Sequence, residues 1–180
     1  MTASRDWRQE LIEAYPDLFW PPASGPAGSQ GYPECDEGWQ DLLDTACRRI
    51  RTAMSKRDRF HFVQIKEKYG TLRAYWAGRL SKAAKIAIEQ AIDLAEARSA
   101  CTCELCGDEG RLYRAGGILM TRCAAHAQGR PIKVRPGFEN IRSVQRIVKS
   151  RFQPLVCHRY DRETDSFIEI DPDSLEPKDQ

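Results

Sequence analysis

The sequence predicts an α+β fold, with helices around a central β-hairpin sheet and a small metal-organised element joined to them. Three observations carry this. Apolar residues recur at helical spacing over 37–54 and 82–98. Two runs of β-formers, Phe60 to Ile65 and Thr71 to Trp76, flank a polar turn ending at Gly70. Four metal-ligating side chains then fall at paired spacing, Cys103, Cys106, Cys123 and His126.

In chain order, Trp7, Leu11, Ile12 and Tyr15 form the stripe of a short helix from Asp6, which Pro16 is expected to stop. The Pro-, Gly- and Ser-rich stretch LFWPPASGPAGSQGYPE reads as a linker loop anchored by Phe19 and Trp20. Trp39, Leu42, Leu43, Ala46, Cys47, Ile50 and Met54 mark one face of an amphipathic helix, which makes Cys47 a core thiol. In the hairpin, strict alternation sets Phe60, Phe62 and Gln64 against His61, Val63 and Ile65. Ser81 caps a long helix from Lys82 to about Arg98 that buries Ala84, Ile88, Ala91, Ile92 and Ala95.

That helix leads into CELCG, RLYRAGGILMTR and CAAH, the spacing C-x2-C-x16-C-x2-H. A tight C-x2-C-G turn presents two thiolates to one ion, with Gly107 relieving the turn. Arg111 to Tyr113 and Ile118 to Thr121 flank Ala115-Gly116-Gly117 as a second hairpin, and Cys123 and His126 share one face of a helical turn. Knuckle, hairpin and helix in this order resemble the treble-clef arrangement of zinc domains. Three thiolates and an imidazole fill a zinc tetrahedron, so the expected cofactor is one structural Zn2+ ion. Cys101 is an alternative to Cys103, but the x2 spacing and the following glycine favour Cys103. Cys157 and His158 are adjacent and read as structural. After His126 come a basic loop, GRPIKVRPG, a helix from Glu139 to Phe152, a terminal hairpin of LVCHRY with SFIEI, and a disordered tail, DPDSLEPKDQ.

The domain organisation expected from these elements is an N-terminal helix and loop (1–36), a helix/hairpin/helix core (37–100), the zinc element (101–130), a C-terminal helix and hairpin (131–170) and the tail (171–180). Hydrophobic residues at 41% and charged ones at 30% suit a soluble globular chain, and no apolar run approaches the ~18 residues of a membrane span. An odd count of seven cysteines, four of them clustered, fits reduced thiols and a metal better than disulfides, so a cytoplasmic location is expected.

Net charge +2 conceals an asymmetry. Residues 1–44 carry two basic and nine acidic side chains, residues 45–160 carry 24 and nine, and residues 161–180 carry two and eight. A basic middle between acidic ends either marks a surface for an acidic partner or is neutralised by the ends packing beside it.

QIKEKYGTLRAYW together with CELCG and CAAH resembles a family of uncharacterised small bacterial and phage proteins. That family carries a "KEKFGTLRFY"-like hairpin, a helix and a C-x2-C…C-x2-H zinc element. The resemblance covers about residues 37 to 127, with Tyr69 and Ala74 where the family often has Phe. It implies a prokaryotic or mobile-element setting and no particular activity.

Treble-clef nucleases of the HNH type need a metal-binding histidine pair beyond any structural zinc. The hairpin between the ligand pairs has no histidine, and His61 and His158 lie far from it in sequence. A non-enzymatic binding protein is therefore expected, working through a basic surface on nucleic acid or a nucleoprotein. The candidate contacts are Lys66, Lys68 and Arg73 on the hairpin, with Arg111, Arg114, Arg122, Arg130, Lys133 and Arg135 on and after the metal element. Tyr69, Tyr75 and Trp76 interleave with these cations, although Tyr75 and Trp76 are expected to be core rings rather than stacking platforms. The alternatives are a phage-type inhibitor of a host protein or defence system, and a zinc-containing nuclease.

Overall fold

The computed structural model describes residues 6–144, 147–148, 151–152, 156–171 and 174. The chain forms two compact units, divided between Pro131 and Ile132. In the first, α1 (Trp7–Ala14) is capped by the Asp6 carboxylate, which accepts from the Arg8 amide at 3.1 Å. Pro16 does not simply end the helical segment. It opens α2 (Pro16–Phe19), because proline's fixed φ and missing N–H suit the first helical position. Phe19 is buried, and Trp20, though 51% exposed, stacks on His61 with ring centroids 4.1 Å apart, so both rings hold the start of the loop against the body of the unit.

The stretch read as a linker is structural. Its β1 (Pro33–Glu34) pairs in parallel with β2 (Arg59–Lys68), which runs antiparallel to β3 (Thr71–Arg79), giving sheet order β1-β2-β3. A bulge between Phe62 and Gln64 corrects the expected alternation. Val63 is turned out, its carbonyl accepting from the Gly31 amide at 3.0 Å, so Ile65 joins Phe60 and Phe62 in the core. Against these side chains pack α3 (Gln40–Ala53), through Leu42, Leu43, Ala46, Cys47 and Ile50, and α4 (Lys82–Ser99), through Ala84, Ile88, Ala91, Ile92 and Ala95. Each fully buried Phe, Leu or Ile contributes about 1.5–3 kcal/mol by leaving water, so this cluster dominates the stability of the unit.

Two polar devices hold the helices in place. Buried Asp58 accepts from the Ser55 amide (2.8 Å) and the Ser81 amide (2.5 Å), which ties the turn before β2 to the cap of α4. The Ser99 hydroxyl accepts from the Leu72 amide at 2.8 Å and fixes the end of α4 to β3. Beyond α4, β4 (Arg111–Ala115), β5 (Ile118–Arg122) and β6 (Arg130–Pro131) form a sheet of order β5-β4-β6.

The second unit contains β7 (Ile141–Val144), β8 (Ile147–Val148), β9 (Arg151–Phe152), β10 (Val156–Asp161) and β11 (Ser166–Ile170). The helix expected from Glu139 to Phe152 is therefore wrong. Ile141, Val144, Ile147 and Val148 imitate helical spacing, but their β-branched side chains favour strands, and β10 offers β7 a partner. The terminal hairpin is as expected, with Cys157 opposite Ile170 and buried. The expected disorder of the tail falls on 171–180, of which 172–173 and 175–180 lie outside the described residues. Among the described residues, no helix is long and apolar enough to cross a membrane.

Candidate metal centre

The end of α4 delivers the chain into a small closed loop. Thr102 bridges Glu109, the Gly110 amide donates to the Cys101 carbonyl at 2.9 Å, and the Cys103 amide donates to the Asp108 carbonyl at 2.8 Å. Within it the Gly107 amide donates to the Cys103 carbonyl at 2.8 Å, closing the C-x2-C turn. Gly107 has φ +80°, the left-handed conformation that this turn demands and that a side chain would oppose. The β4–β5 hairpin then returns the chain, and the His126 amide donates to the Cys123 carbonyl at 3.2 Å. Knuckle and hairpin follow the treble-clef order, while the final helix is reduced to this one turn, before Gly129 redirects the chain into β6.

These turns bring together the ligand atoms of Cys103, Cys106, Cys123 and His126, all within 4.8 Å of one another. Cys106 Sγ lies 3.7 Å from Cys123 Sγ, and His126 Nδ1 lies 3.7 Å from Cys103 Sγ and 3.3 Å from Cys123 Sγ. A zinc tetrahedron with thiolates at about 2.3 Å and imidazole at about 2.05 Å has S–S edges of about 3.8 Å and S–N edges of about 3.6 Å. Three of the six donor pairs lie within about 0.3 Å of those edges and all six lie within 4.8 Å, so the donor set fits such an ion. The chain matches no protein-family model, no curated protein and no solved structure.

The electrostatics suit a cation. Burial raises the Cys103 thiol, but the amides of Cys123, Cys106 and Leu105 facing its sulfur outweigh this and bring it down to about 6. At Cys106 the Asp108 amide lowers the pKa. Desolvation and the neighbouring Cys103 and Cys123 sulfurs oppose it and raise the thiol to about 12. One thiolate forms readily and then resists the next, a repulsion that a bound cation removes. Cys101 is turned away, its buried thiol donating to the Arg98 carbonyl at 3.3 Å, which leaves Cys103 as the sulfur in the cluster.

The knuckle also clamps parts of the fold distant in sequence. The Gly38 amide donates to the Glu104 carbonyl at 2.8 Å, and Trp39 Nε1 donates to the Thr102 carbonyl at 3.0 Å. Glu104, buried inside the C-x2-C turn, pairs with Arg122 at 2.8 Å and accepts from the Asp36 amide at 3.3 Å. Thr121 Oγ1 donates to the Gly70 carbonyl at 2.6 Å, which docks the tip of the β2–β3 hairpin on the metal element. These contacts were invisible in sequence, because no local pattern links Glu104 to a residue eighteen positions away. Gly38 shows how close the docking is: a Cβ there would sit 2.4 Å from the Cys103 carbonyl oxygen and 2.5 Å from that of Glu104. Gly38→Ala is expected to cost about 1–3 kcal/mol by forcing the knuckle back. Its measurable signs are a lower urea midpoint and faster loss of metal to a chelator.

The candidate contact residues divide by environment. Arg122 is held in the ion pair with Glu104, with only 14% of its side chain exposed, so it serves the fold. Arg73 reaches Glu96 on α4 at 3.7 Å, and Arg111 donates to the Tyr113 hydroxyl at 3.0 Å. Lys66 lies over the Tyr75 ring at 5.8 Å and Lys68 over Tyr69 at 5.2 Å. Arg114 and Arg130 sit opposite each other across β4 and β6, both exposed. Lys133 and Arg135 belong to the second unit, where Arg135 covers Phe138 at 5.0 Å. Trp76 packs on Phe60 with centroids 5.5 Å apart, as a core ring would, but Tyr75 is 46% exposed and Tyr69 66%.

Proposed function

We propose that this chain is a non-enzymatic, zinc-stabilised binding protein that acts in a prokaryotic or phage-infected cytoplasm on single-stranded nucleic acid or a nucleoprotein. The carrying observation is the pairing of exposed Tyr69 and Tyr75 with Lys68 and Lys66 on the outer side of the hairpin. Solvated aromatic rings beside cations offer stacking to bases and charge to phosphates, without needing a base sequence. Zinc enters as the ion best matched to three thiolates and an imidazole, and its filled tetrahedron leaves no position for a reacting water.

Strand alternation extends the surface. Leu112 and Thr121, which meet the Gly70 tip, share a face of the metal sheet with Arg114 and Arg130. Like charges directly opposite each other across a strand pair are destabilising, and a phosphate between them removes that cost. The metal thus acts indirectly, by holding the tip against the sheet that bears these arginines.

Fluorescence anisotropy with a short single-stranded oligonucleotide at low salt tests this reading. Tyr75→Ala is expected to weaken binding by roughly tenfold. Lys66→Glu and Lys68→Glu are each expected to weaken it and to flatten its salt dependence. Absence of binding to any single or double strand at low salt contradicts the reading. A protein partner is favoured by one other feature, an open cleft of about 650 Å3 lined by Asp6, Glu10, Asp36 and Glu37 with Leu105. Its acidity suits a basic protein surface, as an inhibitor of a host nucleic-acid-handling protein would require.

A further inference from the structure

A second cleft, of about 450 Å3, opens between Trp20 and the turn that precedes β2, within the size range of small-molecule sites. Trp20, Met54 and Phe60 supply its apolar lining, and Lys56 and Arg59 are exposed cations at its edge. Its two carboxylates are committed elsewhere. Asp17 is paired with Arg51 through both guanidinium and carboxylate edges, and Asp58 is buried under the amides of Ser55 and Ser81. That arrangement also holds the turn: hydrogen bonds from Ser55 and Ser81 keep the Asp58 carboxyl ionised down to about pH 2. Arg59 is steadied by donating to the Lys56 carbonyl (3.0 Å) and the Asp58 carbonyl (2.8 Å).

Trp20 is unusual in two ways. It adopts φ +47°, a left-handed conformation at the end of α2 where glycine would be free of strain. Its ring is half-exposed yet fixed, stacked on His61 at 4.1 Å and donating from Nε1 to the Asp17 carbonyl at 3.0 Å. The position therefore holds a large aromatic ring at a conformational cost, and exposes it beside cations.

We infer that the cleft between Trp20 and the Ser55–Asp58 turn is a nucleotide site, in which the Trp20 ring stacks on an unpaired base while Lys56 and Arg59 take its phosphate. The inference deepens the nucleic-acid reading of the hairpin, and either can fail without the other. The shared chemistry is a base bearing a phosphate, supplied by a free mononucleotide or by one residue of a longer strand.

The test uses the full-length, metal-loaded chain, with adenosine 5′-monophosphate and a short mixed-sequence single strand as probes. Binding is followed by quenching of tryptophan emission and, for the strand, by anisotropy. Trp20→Gly is expected to abolish the quenching and to weaken binding roughly tenfold. Relief of the left-handed strain offsets part of the lost stack on His61 and hydrogen bond to Asp17, and a circular dichroism spectrum like the parent's shows that the fold is kept. Lys56→Glu, at an exposed turn position, is expected to weaken binding without altering the melt. If both variants bind as the parent does while Tyr75→Ala does not, the inference is overturned and the hairpin reading stands. Saturable quenching by the mononucleotide without binding of the strand supports the site and overturns the hairpin reading. No quenching by either probe overturns the inference.

Discussion

Cys106→Ser is expected to give insoluble or rapidly proteolysed protein, whereas Cys101→Ser is expected to stay folded and retain its metal. Burial alone argues the reverse, since Cys106 is exposed and Cys101 is buried. A serine at a solvated surface position normally changes stability by no more than about 0.5 kcal/mol. At Cys106 it removes one of the four donors of the proposed site, and structural zinc sites supply about 10–16 kcal/mol of folding free energy. Domain stabilities are about 5–15 kcal/mol, so losing most of that contribution is enough to open the metal element and the contacts it clamps, which exposes the core they cover. At Cys101 a serine hydroxyl can still donate to the Arg98 carbonyl that the thiol now meets. Cys123→Ser should behave like Cys106→Ser. Limited proteolysis and metal content of the three variants provide the comparison, and a folded, metal-replete Cys106→Ser protein contradicts the ligand assignment.

Glu104→Ala is expected to lower stability by about 3–5 kcal/mol, the cost of leaving one member of a buried ion pair uncompensated. Glu104 and Arg122 side chains are 8% and 14% exposed, so water does little to replace the lost partner. The same carboxylate accepts from the Asp36 amide, and its removal also loosens the docking of the 36–39 turn. Replacing both residues, as in Glu104→Leu with Arg122→Met, should recover a large part of the loss, because no unpaired charge then remains buried. Urea unfolding with metal held in excess measures each step. A loss below about 1 kcal/mol for Glu104→Ala would place the pair among surface ion pairs instead.

The sequence disclosed features whose cause is local. The stripe of α3, the Ser81 cap, the β2–β3 hairpin and the C-x2-C pairs each follow from residues a few positions apart. Features decided by distant contacts were hidden. The Val63 bulge, which reverses the face of Ile65, is stabilised by Gly31 in a stretch that composition marks as a loop. Arg122 looked like a surface cation because its partner, Glu104, is placed there only by the folding of the metal element. Ile141 to Val148 had helical spacing and strand chemistry together, and the available partner strand decided between them. Trp20 carried no sequence signal beyond its type, since its left-handed backbone and stack on His61 exist only in the folded chain.

On the proposed function, one metal ion bound by Cys103, Cys106, Cys123 and His126 clamps the 36–39 turn and the hairpin tip and so builds the binding surface. Metal analysis of the purified chain, coupled to thermal melting before and after chelation, tests it most directly. The expected result is one equivalent of zinc per chain, with loss of the cooperative melt and of proteolytic resistance once the zinc is removed. A chain carrying less than about half an equivalent, or one that melts identically without metal, contradicts the claim.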